Sequence, residues 1–370
     1  MVAAWGYGAR GLLSQPAANK KTVKTPLYSR IAASQQRSPP VSQAQPDAAV
    51  KTAQVFDIPP VRLPVKAVAE YQTVANAVSK PQLASLLIQC PDQKGVVAAL
   101  AQLLYGFGCN ILESDQYTDQ TTGTYFQRIR FDYSECLVGP TNTQVLEHAV
   151  GELAKRYEME WQIYYDNKVK RVAILVSKLD HCLYDLLIRL KAGELSCQVP
   201  VIISNHPDLA PIAQQFGVAF RHLPLPRTDA ESKLQQEAAI EQLLQELDID
   251  LLVLARYMQI FSQDFCARHA DHTINIHHSF LPAFEGARPY HKAHKRGVKI
   301  IGATAHFATA ELDAGPIIEQ DVTRITHRDS VKDMLRKGRD LERLVLARAV
   351  RWVLEDRVLI HGNKTVVFND

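Results

Sequence analysis

The run Ile274-Asn275-Ile276-His277-His278-Ser279 sets an amide and two imidazoles at the end of an apolar stretch. Side chains alternate faces in an extended strand, so Asn275 and His277 project to one side while Ile274, Ile276 and His278 project to the other. An amide there can donate to a carbonyl oxygen that gains negative charge, and the imidazole beside it can donate or accept a proton. A carboxylate follows in the loop Leu312-Asp313-Ala314-Gly315-Pro316, which joins two segments read as strands, Gly302 to Phe307 and Ile317 to Gln320. Within reach of His277, Asp313 would favour the imidazolium and accept a proton from water. These are three of the pieces a hydrolysis requires. Asn275 would polarise the carbonyl, His277 would stabilise or protonate the oxyanion, and Asp313 would position and deprotonate the attacking water. No serine or cysteine nucleophile stands in an obvious place beside them, so water is the expected nucleophile. The alternative is a satisfied polar pair where a strand becomes a loop.

A metal hydrolase is a second chemistry to weigh, because seven of the 13 histidines (269, 272, 277, 278, 291, 294 and 306) fall in one region. Their spacing does not support it. His291 and His294 would share a helical face, but no glutamate completes H-E-x-x-H, and His277 and His278 point to opposite faces if the strand continues. No catalytic metal is expected.

The elements that must hold these residues follow from periodicity. Apolar strands at Val172 to Val176, Val199 to Ile203, Val218 to Arg221, Asp250 to Ala255 and Thr273 to Ile276 alternate with helical stretches around 181–191, 208–216, 230–246 and 261–269. Nearly all-apolar strands alternating with amphipathic helices imply a mostly parallel, Rossmann-like sheet covered on both faces, with ligands at the strands' carboxyl ends. No glycine-rich phosphate signature follows any strand, and the first turn reads Ser177-Lys178-Leu179-Asp180-His181.

Upstream, the pattern predicts a strand at Leu83 to Gln89, a turn at Pro91 to Gly95 opening a helix through Tyr105, a hairpin of Asn110 to Tyr117 with Thr124 to Tyr133, a helix from about Asn142 to Arg156, and a last strand through Tyr165. That βαββαβ order is ferredoxin-like. The expected organisation is therefore a leader and linker over residues 1–80, a small domain over 81–166 and an α/β domain over 167–370.

The chain has 370 residues, 46% hydrophobic and 22% charged, which suits a globular protein of two domains. No run approaches the roughly 18 apolar residues of a membrane helix. Six cysteines at 90, 109, 136, 182, 197 and 266 lack C-x-x-C spacing and read as reduced structural thiols. Met1 to Pro46 contains six Lys or Arg and no Asp or Glu, so with +3 overall the remainder carries −3. Such a basic, Ser- and Ala-rich, acid-free segment reads as an organelle transit peptide, mitochondrial first and chloroplast second, the alternative being a disordered basic tail.

Two resemblances sharpen this reading. "CPDQKGVVAALAQLLYGFGCNILESDQY" (Cys90 to Tyr117), in its βαββαβ context, resembles an ACT domain. In that family the positions matching Asp92 and Gly95, and Asn110 and Ile111, often hold a small amino acid between paired domains, which implies either an effector site or a purely dimerising role. "NIHHSFLPAFEGARPYHKA" (Asn275 to Ala293), "GATAHFATAELDAGPIIEQ" (Gly302 to Gln320) and "VLARYMQIFS" (Val253 to Ser262) resemble the folate-dependent formyltransferase family. The match runs from about Leu83 to Phe368.

By that resemblance the catalytic trio is Asn275, His277 and Asp313, with His306 as a secondary active-site residue. Met258, Ile260, Phe261, Thr309 and Leu312 would hold the pterin, although Met258 and Phe261 also suit simple core packing. The ACT-like domain narrows the expectation to hydrolysis of 10-formyltetrahydrofolate to formate and tetrahydrofolate, with no cofactor beyond the folate substrate. Family members that formylate a phosphorylated amine carry a glycine-rich turn after the first strand. Here "SKLDHC" removes that phosphate cradle and leaves water as acceptor. A tRNA formyltransferase would need a basic surface that a body of net −3 does not supply, and a non-catalytic sensor would have no use for the trio. The implied partners are the folate, a possible amino-acid effector and a second copy of the chain, with neither nucleic acid nor membrane.

Overall fold

The computed structural model describes residues 81–225, 229–283 and 289–369. The expected leader and linker, residues 1–80, lie outside the described residues, as do positions 284–288 of the Asn275-to-Ala293 motif.

The first domain is β1 (Leu83–Pro91), α1 (Val96–Gly106), β2 (Asn110–Asp119), β3 (Thr124–Asp132), α2 (Thr143–Tyr157) and β4 (Glu160–Tyr165), the expected ferredoxin-like order. Its strands pair antiparallel in the order β2-β3-β1-β4. Val96, Leu100 and Leu104 recur along one stripe of α1, as Leu146, Val150 and Ala154 do on α2, and these stripes close over Leu86, Ile88, Ile129 and Phe131 of the sheet. The other side of β3 is buried as well. Phe126 packs edge-on against His361, and the Arg128 guanidinium donates to Asp356 O at 3.1 Å. The alternation Phe126, Arg128 looks like a half-polar face in sequence because the C-terminal segment that covers it lies more than two hundred positions away.

Asp92 and Gly95 do not face Asn110 and Ile111 within one chain. Leu83 pairs with Asp132, which pairs with Asn110, whereas Pro91 and Asp119 both pair with Thr124 at the opposite end of the sheet. The two groups stand roughly 25 Å apart along the strands, because α1 carries the chain back before β2 begins.

The second domain contains β5 (Lys170–Val176), α3 (His181–Ala192), β6 (Cys197–Ser204), α4 (Ala210–Phe216), β7 (Ala219–His222), α5 (Ala230–Glu246), β8 (Leu251–Leu254), α6 (Gln263–Arg268), β9 (Thr273–His277), α7 (Pro289–Arg296), β10 (Ile300–Phe307), β11 (Ile317–Arg324), α8 (Val331–Leu354) and the hairpin β12 (Val358–His361) with β13 (Lys364–Val367). The sheet order is β11-β10-β9-β8-β5-β6-β7. β5 to β9 are mutually parallel, whereas β10 runs antiparallel to both β9 and β11. Helices α3, α4 and α8 pack on one face and α5 and α6 on the other.

The reversal at β10 and the helix α8 go beyond the sequence expectation. The alternation of side chains along a strand looks the same in either direction. The α8 signal is present, since Ser330 and Asp333 form a capping box and Leu341, Val345 and Ala349 follow at helical spacing. All six cysteines are free thiols. Among the described residues no helix is long and apolar enough to cross a membrane.

Candidate active site

Strand order reverses around β5, with β6 and β7 on one side and β8 and β9 on the other, so a crevice opens at the carboxyl ends of β5 and β8. His277 ends β9 beside it. Across the β9–β10 pair, Asn275 stands opposite His306 and His277 opposite Thr304. Directly opposed residues of an antiparallel pair share a face, so Asn275, His277 and His306 line one surface. Ile274 and Ile276 enter the core on the other.

Asp313 reaches this surface from the loop between β10 and β11. Its φ is 56°, a left-handed conformation that a non-glycine residue adopts at some cost. The loop is drawn tight against the end of β10, where Phe307 N donates to Pro316 O at 2.9 Å. A Cβ on Gly315 would stand 1.9 Å from Phe307 O, so only glycine fits. The result places Asp313 Oδ1 3.0 Å from His277 Nδ1 and 3.9 Å from His306 Nε2.

The hydrogen bonds assign the protons. His306 Nδ1 lies 2.9 Å from Phe307 O, a pure acceptor, so Nδ1 carries the hydrogen. Burial holds the His306 imidazole below its ordinary pKa against the opposing pull of that backbone bond and of Asp313, and the ring is neutral near pH 7. Its Nε2 lone pair therefore accepts from Asn275 Nδ2 at 3.1 Å. The second Nδ2 hydrogen of Asn275 is left to point at a ligand. Burial also works against ionisation of Asp313, but the His277 hydrogen bond and the nearby imidazoles outweigh it and hold the carboxyl below the usual range. Asp313 is a carboxylate, with His277 Nδ1–H donating to it. His277 Nε2 is buried and has no hydrogen-bond partner. A buried nitrogen without a partner is uncommon and marks a place where a ligand atom can bond.

The trio expected from sequence and the secondary residue His306 thus meet in one site. The segment after β8 presents Met258 and Ile260 to solvent, 57% and 55% exposed, and the loop after β10 presents Leu312 at 57%. Met258 N is anchored by Ser177 Oγ at 3.0 Å, and Thr309 Oγ1 donates to Glu311 O at 2.9 Å. Phe261 instead stacks between Tyr257 and Phe265, with ring centroids at 5.6 and 4.2 Å, which is the core-packing alternative for that residue.

Among the described residues, the cluster of three or more metal-type ligands is His181, Cys182 and Glu342, and none of the seven clustered histidines belongs to it. Its donor set does not suit a cation. Arg256 Nε already lies 3.5 Å from Glu342, and burial pushes the Cys182 thiol far up, keeping it protonated.

Glu342, Arg256 and Tyr290 are not legible in the sequence as site residues. The available signal is a glutamate in the apolar stripe of α8, between Gly338 and Val345 at helical spacing.

Residues 170–350 match the formyl transferase family model. A formyltetrahydrofolate deformylase of Synechocystis sp. is 53% identical over 285 residues, which are 77% of this chain and 98% of that protein. The Bacillus subtilis formyltetrahydrofolate deformylase is 45% identical over 285 residues, covering 77% of this chain and 93% of its own. The crystal structure of a formyltetrahydrofolate deformylase from Pseudomonas syringae superposes with a TM-score of 0.74 at 41% identity, covering 83% of this chain and all of that one.

Proposed function

Because the chain belongs to the formyltetrahydrofolate deformylase family, we propose that it hydrolyses 10-formyltetrahydrofolate to formate and tetrahydrofolate at the Asn275–His277–Asp313 site. The observation that carries the reading is the unpartnered, buried Nε2 of His277, whose Nδ1 is held by an ionised Asp313.

Asn275 Nδ2–H and, in its imidazolium form, His277 Nε2–H would donate to the formyl oxygen as it becomes an oxyanion. Asp313, with Oδ1 engaged by His277, would hold the attacking water through its second oxygen. Water oxygen bonds to the formyl carbon, its proton passes to the carboxylate, the C–N10 bond breaks, and the proton returns to N10. A carboxyl with a depressed pKa is a weak base, so the barrier is lowered mainly by placement and by the paired imidazolium. His306 would keep the Asn275 amide in its donating orientation. Met258, Ile260 and Leu312, with the Thr309 loop, would receive the pterin, and Phe261 would support that wall from behind.

The test is an assay for formate and tetrahydrofolate with water as the only acceptor. Formate appearing only when an amine is supplied would refute the hydrolytic reading.

The acid-free basic segment before Pro46 supports import into the mitochondrion, with the chloroplast as the alternative address. An amino-acid effector at Asp92, Gly95, Asn110 and Ile111 would require two chains of an ACT-type pair, one supplying each half. Titration with small amino acids checks that reading, together with the oligomeric state.

A further inference from the structure

Next to His277, polar side chains from five parts of the fold meet in the core. Glu342 of α8, 2% exposed, accepts from His181 Nε2 at 2.7 Å and from Tyr290 Oη at 2.9 Å, and Arg256 Nε lies 3.5 Å away. The His278 ring sits 6.2 Å from the Tyr290 ring and 4.9 Å from the His277 ring, centroid to centroid. Each group comes from a different place: His181 opens α3, Arg256 follows β8, His278 follows β9, and Tyr290 lies in α7.

Two features show that the cluster is demanded by the surroundings. Arg256 is a buried cation at φ 65°, where a non-glycine backbone is disfavoured. Gly338 lies one turn before Glu342 on α8, and a Cβ there would stand 2.0 Å from Tyr290 Oη. The tyrosine therefore reaches the carboxylate only because position 338 has no side chain. Buried charge is costly unless partnered, and here the partners are drawn to the wall of the reacting site.

We propose that Glu342 is a positioning residue for the hydrolysis: by holding Arg256 and Tyr290 in place it packs His278 against His277 and aims His277 Nε2 at the formyl oxygen. This rests on the deformylase reading above. His277 has one hydrogen bond, to Asp313, and a ring held at one nitrogen can still swing about that bond. The neighbouring His278 ring removes that freedom. His278 itself is pushed down to about 4 by burial and by the charges of Arg256 and His277, against the opposing pull of Glu342 and Asp313. It packs as a neutral ring near pH 7.

The test compares kcat, KM and the pH profile of kcat/KM for the parent chain and three variants, Glu342→Gln, Tyr290→Phe and Gly338→Ala, each normalised to folded protein. Misplacing a reacting group by about 1 Å costs about 10² in rate, so kcat should fall by about that factor in Glu342→Gln and about tenfold in Tyr290→Phe and Gly338→Ala. KM should stay within about threefold, since pterin contacts are untouched. The acid limb of Glu342→Gln should move to lower pH. Arg256 then lacks its counter-charge and opposes protonation of His278 more strongly, since Glu342 no longer pulls the other way, whereas lost packing alone would not shift that limb. Normal kcat in folded Tyr290→Phe and Gly338→Ala overturns the proposal even if Glu342→Gln does not fold, as does a loss confined to KM. A parent that releases no formate refutes the deformylase reading instead, so the two failures are distinct.

Discussion

Asn275 Nδ2 and His306 Nε2 stand 3.1 Å apart on directly opposed positions of β9 and β10, and the direction of that bond is decided by the main chain at Phe307 O. Because His306 gives its only hydrogen to that carbonyl, Asn275 must donate to the imidazole, which fixes the amide with one hydrogen left over. Removing a positioned oxyanion donor costs about 10² to 10³ in rate, and that loss is expected in kcat for Asn275→Ala. His306→Ala leaves the amide present but free to flip and should lose about tenfold. Equal losses in steady-state kcat would show that His306 acts directly on the substrate.

His277→Ala and Asp313→Ala should each lower turnover by about 10² to 10⁴, the range for loss of a proton-transfer group, with folate binding largely retained. The two losses should be strongly non-additive in the double variant, because the pair works through the 3.0 Å Nδ1–Oδ1 contact. His278→Ala should cost less than His277→Ala, since His278 packs beside the reacting imidazole, 4.9 Å between ring centroids, whereas His277 itself bonds to Asp313. Near-normal turnover of Asp313→Ala would end the assignment of water positioning to that carboxylate.

Gly315→Ala tests the loop that carries Asp313. The added Cβ would meet Phe307 O at 1.9 Å, a backbone atom that cannot step aside. The loop must shift, and a carboxylate moved by about 1 Å should cost about 10² in kcat, with a lowered thermal midpoint. Unchanged kinetics in this variant would mean that the loop is not held where the site needs it.

Burial, Arg256 and His277 push the His278 pKa down from 6.5 to about 4. The unfolded chain therefore takes up a proton first as pH falls. Stability from this residue is intact above about pH 6.5 and is lost progressively down to about pH 4, by on the order of 3 kcal/mol. Burial raises Asp356 to about 6, which acts in the opposite sense over part of the same window. The quantity to read is thus the difference between parent and His278→Gln in denaturation midpoint. It should narrow as pH falls from 6.5 to 4, and a constant difference would contradict the assignment.

A chain beginning near Ser79 should fold and turn over, because a relative matched over 285 residues spans 77% of this chain and 98% of itself. Yield of soluble protein and formate release from the shortened chain provide the check. Aggregation would show that the residues before Ser79 contribute to the fold.

Relationships between residues close in sequence are legible from the sequence by itself. Asn275 and His277 share a face because strand alternation is a local property, Asp313 stands in the loop that leads into β11, and the βαββαβ and β/α orders follow from periodicities of 2 and 3.6. Partners distant in sequence are not legible in this way. The antiparallel course of β10 sets His306 opposite Asn275, yet side-chain alternation carries no mark of direction. The second buried face of β3 is covered by residues at 355 and beyond. Glu342 reads as one polar residue in an apolar stripe until His181, Tyr290 and Arg256 converge on it. The two halves of the expected effector site lie at opposite ends of one sheet, because α1 returns the chain across it before β2 starts. Local geometry decides which way a side chain points along its own element. Which residue it meets there is decided by how the elements pack, and that depends on burying apolar faces from the whole chain at once.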